Sequence, residues 1–161
     1  MNIEIICVGS LKEPYLKSAE SEYIKRLSVY CKIMVTELRE ERLPQRAGPA
    51  EEESVRALEG EALLAAAGKH EGAYVFALDM RGGQLTSEKF ADRFGELALT
   101  GKSNVVFLIG GSLGLSGAVR KKADYVLSFS EMTFPHQLMR VILLEQIYRA
   151  QKILRGEPYH K

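Results

Sequence analysis

Cysteine is scarce: Cys7 and Cys31 are the only two in 161 residues. They are too few and wrongly spaced for a disulfide framework or a zinc knuckle, and the count suits a reducing compartment. Histidine is nearly as rare, and His70, His136 and His160 show no i, i+3 or i, i+4 ligand spacing with one another or with the cysteines. No metal site is expected. Long apolar runs are missing too, none approaching the roughly 20 residues of a membrane span. Asn2-Ile3-Glu4-Ile5-Ile6 opens the chain without a basic region or a small-residue cleavage site, so the expectation is a soluble, cytoplasmic protein without a membrane partner. Nor is there an excess of one charge: 22 Lys plus Arg stand against 21 Asp plus Glu, a net +1. That excludes wholesale coating of nucleic acid and leaves only local attraction. Residues 120–161 hold 8 basic and 4 acidic side chains while the rest is net negative, so an anionic partner is sought in the C-terminal quarter, or that excess is a solvated helix face. No repeat, low-complexity tract or linker divides the chain. Its length suffices for one domain, residues 1–161, to bury a core without a staple.

The periodicity alternates between two kinds. Ile3, Ile5, Ile6 and Val8 read as a buried strand ending at Gly9. Leu16, Ala19, Tyr23, Leu27 and Tyr30 then recur at helical spacing, with Lys17, Glu22 and Lys25 outward. A second strand follows over Lys32 to Leu38, and Arg39 to Ala50, with two prolines, a glycine and several charges, reads as a loop. Acidic residues from Glu51 favour the first turn of a helix that Gly68 stops. Tyr74 to Leu78 is a continuous apolar strand, Arg81-Gly82-Gly83 a turn, and Thr86 or Ser87 the cap of a helix buried through Phe90, Phe94 and Leu97. Val105 to Ile109 is another apolar strand. A glycine-rich stretch from Gly110 to Gly117, a short helix, a strand over Tyr125 to Phe129 and a long apolar-striped helix from Pro135 to Gly156 complete the pass. Strands alternating with helices predict an α/β fold with a mainly parallel sheet flanked by helices. Ligands of such sheets gather at the carboxyl ends of the strands, here Leu78, Gly110 and Phe129.

Several motifs compete for the glycine-rich stretch. Gly110-Gly111-Ser112-Leu113-Gly114 fits the G-x-S-x-G nucleophile elbow, and Asp124 and His136 follow in hydrolase order. Against it, that sheet needs a longer chain, and Ser116 rather than Ser112 reads as the cap of the next helix. Gly101-Lys102-Ser103 looks like the end of a phosphate-binding loop, yet Glu96 stands where its first glycine belongs and a strand follows instead of a helix. G-x-G-x-x-G is absent, which argues against a nicotinamide cofactor and leaves another adenosine-containing ligand open. A tight turn without a ligand would explain the glycines equally. His136 would serve as a cap for the last helix.

Four segments carry a stronger signal: Phe107-Leu108-Ile109-Gly110-Gly111, Ser128-Phe129-Ser130-Glu131-Met132-Thr133-Phe134-Pro135-His136, Leu144-Glu145-Gln146-Ile147-Tyr148-Arg149-Ala150 and Pro158-Tyr159-His160-Lys161. Together they resemble the ribosomal RNA large subunit methyltransferase H family, of the SPOUT class, over essentially the whole chain. The resemblance implies a C-terminal trefoil knot, a homodimer, S-adenosyl-L-methionine as cofactor, and methylation of N3 of a pseudouridine in large-subunit rRNA on the assembled ribosome. Carried over by position, the cofactor would be held at Leu78, Gly110, Phe129, Ser130, Glu131, Met132, Thr133 and Phe134.

The chemistry then needs in-line positioning of the base nitrogen and removal of its proton. Given the resemblance, His160 is the expected proton acceptor because an imidazole exchanges protons near neutral pH. Tyr159 is expected to stack on the uracil ring and Arg149 to hold phosphate or a base carbonyl. The alternative is a non-catalytic rRNA-binding accessory factor, which would share the basic region but need no cofactor pocket.

Overall fold

The structure, a computed structural model, describes residues 1–159. Strands and helices alternate strictly: β1 (Asn2–Val8), α1 (Pro14–Leu27), β2 (Lys32–Leu38), α2 (Pro49–Ala67), β3 (Tyr74–Gln84), α3 (Ser87–Leu99), β4 (Asn104–Ile109), α4 (Gly117–Lys122), β5 (Tyr125–Ser128) and α5 (His136–Leu154). The five strands form one sheet in the order β2-β1-β4-β3-β5, every pairing parallel. All carboxyl ends therefore lie along one edge, which fits the expected α/β class.

Alternation along the strands divides the interior in two. Ile3, Ile5, Cys7, Phe76 and Phe107 face α1, α3 and α5. Ile6, Val8, Ala77, Val106 and Leu108 face α2 and α4 through Leu63, Ala67 and Val119. Helices thus cover both faces, as a buried parallel sheet requires. On the first face Phe76 stacks on Phe107 with centroids 4.8 Å apart and Phe90 meets Phe94 edge-on at 5.1 Å. Such pairs add roughly 0.5–1.5 kcal/mol each beyond their burial. α5 packs against both α1 and α3, so its wide apolar stripe is used within the chain.

Local chemistry sets the helix starts. Thr86 Oγ1 accepts the Lys89 N–H at 3.3 Å, and Ser116 Oγ accepts the Val119 N–H at 3.3 Å, as expected of both caps. α2 begins two residues earlier than its acidic turn suggested, at Pro49, whose fixed φ suits the first helical position. At α5 the expected histidine cap is replaced: Pro135 occupies the cap position without a side-chain hydrogen bond, and His136 is already helical.

The largest departure concerns β3. Arg81-Gly82-Gly83 is not a turn but part of an eleven-residue strand, in which Leu78 and Gly83 both register with Leu127. Residues 79–82 therefore bulge out of the ladder at the carboxyl edge. A Cβ on Gly82 would lie 2.4 Å from the Val126 carbonyl oxygen, so only glycine lets β5 approach there.

Candidate active site

Three segments meet at the carboxyl edge and enclose a cavity of about 600 Å³, within the range of small-molecule sites. The β3 bulge supplies Leu78 to Arg81, the loop after β4 supplies Ile109 to Leu115, and the chain from β5 to the start of α5 supplies Leu127 to Ser130, Met132 to His136, and Met139. Of the eight expected cofactor residues, Leu78, Gly110, Phe129, Ser130, Met132, Thr133 and Phe134 line this one cavity. Glu131 is exposed and does not.

The glycine loop is held from both sides. Gly114, at φ +76°, donates its N–H to the Gly111 carbonyl at 3.0 Å, closing a tight turn. A Cβ on Gly110 would stand 2.7 Å from the Gly114 carbonyl carbon, so the loop folds back on Gly110 itself. From α2, Arg56 Nε donates to the Leu113 carbonyl at 3.1 Å. The buried Glu59 carboxylate lies against Gly111 while accepting the Glu41 N–H at 3.1 Å. Its carboxyl is pushed upward by burial and by Glu40 and Glu41. On the opposite wall Ser130 Oγ accepts the Met132 N–H at 3.0 Å, and Ser128 Oγ donates to the Ser130 carbonyl at 2.9 Å. These bonds shape the second loop.

Charge within the walls is compensated. The Asp79 side chain is only 8% exposed; it accepts from Arg120 Nη1 at 3.1 Å and from the Arg81 N–H at 3.0 Å. Leu78, Ile109, Leu115, Leu127, Phe129 and Phe134 make the remaining surface mainly apolar. Such a site suits an uncharged ring, with backbone groups from two loops for orientation. His136 lines the edge of the cavity, and burial lowers its pKa, reinforced by Arg140 and Lys12 against the opposite pull of Glu40.

Beneath this edge lies a buried charge. Arg140, 1% exposed, bonds Glu37 at 2.6 Å, Glu20 at 3.2 Å and the Gly9 carbonyl at 2.9 Å. The positive C-terminal quarter is therefore not one patch, since Arg140 is interior and Arg120 is tied to Asp79.

The expected tail residues stand elsewhere. Tyr159 donates to Glu145 Oε1 at 3.2 Å, Arg149 pairs with the same oxygen at 2.5 Å, and the Arg149 guanidinium sits 4.9 Å from the Tyr159 ring centre. Tyr159 is pushed up to about 12, mainly by burial, then by hydrogen bonding to Tyr23 and the charge of Glu145. It stays protonated at neutral pH. Met139, the last cavity residue on α5, and Arg149 are ten residues apart, about 15 Å along the helix. A single copy thus holds the tail group and the cavity apart, and His160 lies outside the described residues.

The hydrolase arrangement does not form. Ser112 is exposed on the glycine loop, whereas Asp124 exchanges bonds with Val75 at the amino end of β3: its Oδ2 accepts the Val75 N–H at 2.8 Å and its own N–H reaches the Val75 carbonyl at 2.9 Å. Lys102 likewise donates to Gly72 at the entrance to β4, far from any phosphate cradle. Among the described residues no cluster of three potential metal ligands occurs and no helix is long and apolar enough to cross a membrane. Asp79, Arg81 and the α2 pair Arg56 and Glu59 were missed as site residues, and His136 was named only for a hydrolase arrangement or a helix cap. Asp79 had a signal in its place at a strand end; the α2 pair had none.

A parallel sheet with a cavity built from the β3 bulge and the loops after β4 and β5 defines a class. The chain matches the family described as "Predicted SPOUT methyltransferase" over residues 1–160, and it belongs to that SPOUT methyltransferase family. It is 58% identical over 161 residues to a Clostridium novyi (strain NT) protein named Ribosomal RNA large subunit methyltransferase H, and 55% identical over 161 residues to one of the same name from Alkaliphilus oremlandii (strain OhILAs). In both cases all of each chain is covered. Among solved structures, the tRNA (m1G37) methyltransferase from Aquifex aeolicus matches 100% of this chain and 75% of its own, with a TM-score of 0.58 at 15% identity. That likeness is one of fold, and the knotted SPOUT arrangement fits the strand order found here.

Proposed function

We propose that the chain transfers a methyl group from S-adenosyl-L-methionine to N3 of a pseudouridine in large-subunit (23S) rRNA, acting in the cytoplasm as a homodimer on assembled ribosomes. The observation that carries this reading is the full-length identity of 52–58% to proteins named Ribosomal RNA large subunit methyltransferase H. A cavity with two backbone-lined loops supports a cofactor enzyme over the non-catalytic accessory factor, which has no use for such a site.

When bound, the cofactor supplies an electrophilic methyl on a sulfonium. Leu78, Gly110, Phe129, Ser130, Met132, Thr133 and Phe134 would hold it, their apolar side chains packing on the adenosine ring and their backbone groups orienting it. Glu131 enters this proposal only through its backbone. The N3–H proton must leave as the methyl arrives; His160 is proposed to accept it. Tyr159, protonated at working pH, offers a ring for stacking and a donor hydroxyl. Arg149, fixed by Glu145, offers its guanidinium to phosphate or a base carbonyl.

Separation of about 15 Å between tail and cavity along α5 supports the homodimer, in which a second copy brings its tail to the cavity of the first. The exposed Tyr15 and Leu138 beside the cavity edge, at 68% and 37% exposure, are suited to burial between copies. The reading is tested by removing Tyr159 to Lys161. Methyl transfer should be abolished with cofactor affinity nearly unchanged; full activity of the truncated chain would refute the tail's role.

A further inference from the structure

The turn after α5 is closed by backbone bonds from Gly156 N–H to the Ile153 carbonyl at 3.0 Å and from Glu157 N–H to the Lys152 carbonyl at 3.0 Å, with Gly156 at φ +63°. Directly after it, Glu157 Oε2 receives Lys152 Nζ at 2.5 Å and the Tyr30 hydroxyl at 2.7 Å. Lys152 Nζ also lies 3.5 Å from the Tyr30 oxygen. One carboxylate oxygen thus gathers the turn after α1, the last turns of α5 and the tail, although Tyr30 and Glu157 are 127 residues apart in sequence.

Two residues further on, the Tyr159 ring stands edge-on to Tyr148, centroids 4.9 Å apart, and Tyr148 meets Tyr30 edge-on at 5.8 Å. The carboxylate and the ring contacts therefore fix the same short segment from both sides. Exposed ion pairs contribute little alone, but this one is different in kind. The Lys152 side chain is only 14% exposed, and its partner is shared with a hydroxyl from the turn that follows α1.

We propose that Glu157, Lys152 and Tyr30 form a clasp that positions Tyr159 for methyl transfer. Glu157 and Tyr30 are positioning residues: they act through Tyr159 and line no part of the cavity. The inference rests on the reading that the tail takes part in transfer. Because the clasp is remote from the cavity in its own chain, loosening it should lower kcat and spare cofactor affinity. A displaced tail loses orientation, and small misplacements of reacting groups are costly in rate.

The test compares Glu157→Ala, Tyr30→Phe, Lys152→Glu, Glu157→Lys and the charge-exchanged double variant, in the full chain. Expected are a fall in kcat of about tenfold for Glu157→Ala, an unchanged Kd for S-adenosylmethionine, faster hydrogen exchange at the Gly156, Glu157 and Tyr159 amides, and recovery of both rate and protection in the double exchange. Unchanged kcat and exchange in Glu157→Ala and Tyr30→Phe would overturn the clasp. So would a double exchange that regains melting temperature but not rate, since that marks a purely structural pair. Deletion of Tyr159 to Lys161 runs in parallel: if the truncated chain keeps its activity, the underlying reading of the tail fails, whereas loss of activity there with indifferent clasp variants refutes the clasp alone.

Discussion

Arg120 reaches from α4 across the carboxyl edge to Asp79, with Nη1 3.1 Å from Oδ2 and also 2.5 Å from the Leu115 carbonyl. One guanidinium thereby joins the β3 bulge to the end of the glycine loop, two of the three segments that make the cavity. Replacing Arg120 by Met would leave the buried Asp79 carboxylate short of its charged donor. A hydrogen bond to a charged group contributes about 1.5–3 kcal/mol, so denaturant titration should show a loss of about 2 kcal/mol. Calorimetry should show S-adenosylmethionine binding weakened about tenfold, the equivalent of 1.4 kcal/mol.

The Cβ direction of Gly110 meets Gly114, not the open cavity, so its need for glycine comes from the loop. Gly110→Ala should displace the turn and weaken cofactor binding about tenfold or more by calorimetry. The melting temperature should fall as well, because backbone rather than a flexible side chain must move. An alanine that binds as tightly as glycine would mean the loop plays no part in the pocket.

Much of the fold was legible because its signals are local. Thr86 and Ser116 announce their helices by type, and apolar runs such as Val105 to Ile109 admit only a buried strand. The strand ends named three patches of the cavity wall for the same reason. What was hidden depends on pairs distant in sequence. The β3 bulge needs β5 to close on Gly82, and Arg140 is a surface residue by composition yet an interior one by its bonds to Glu20 and Glu37. The α2 contacts of Arg56 and Glu59 with the glycine loop carry no periodic mark. Arg149 and Tyr159 were joined by resemblance alone, and their shared Glu145 oxygen is visible only in three dimensions.

Arg140 gives a stability test. Removing the buried Arg140 leaves Glu20 and the 42% exposed Glu37 without their cation, and because water reaches Glu37 the expected cost is that of lost charged hydrogen bonds, about 1.5–3 kcal/mol. Arg140→Met should lose that much in urea. A double change that also replaces Glu37 by Gln should recover part of the loss.

His136 sets a pH dependence whose sign follows from its surroundings. Its folded pKa lies below the ordinary 6.5, so between those values the unfolded chain binds a proton that the folded chain does not. The stability it contributes is full above 6.5 and is lost as pH falls through the folded value. Thermal melts at pH 7.5 and at pH 5 should show a smaller drop for His136→Gln than for the parent chain. An equal drop would assign the acid sensitivity to other groups.

The central claim is tested most directly by transfer of labelled methyl from S-adenosylmethionine to ribosomes lacking the modification, with the labelled nucleotide mapped. The account predicts label on N3 of a pseudouridine in large-subunit rRNA. Cofactor binding with no label, or label on another nucleotide, would contradict it.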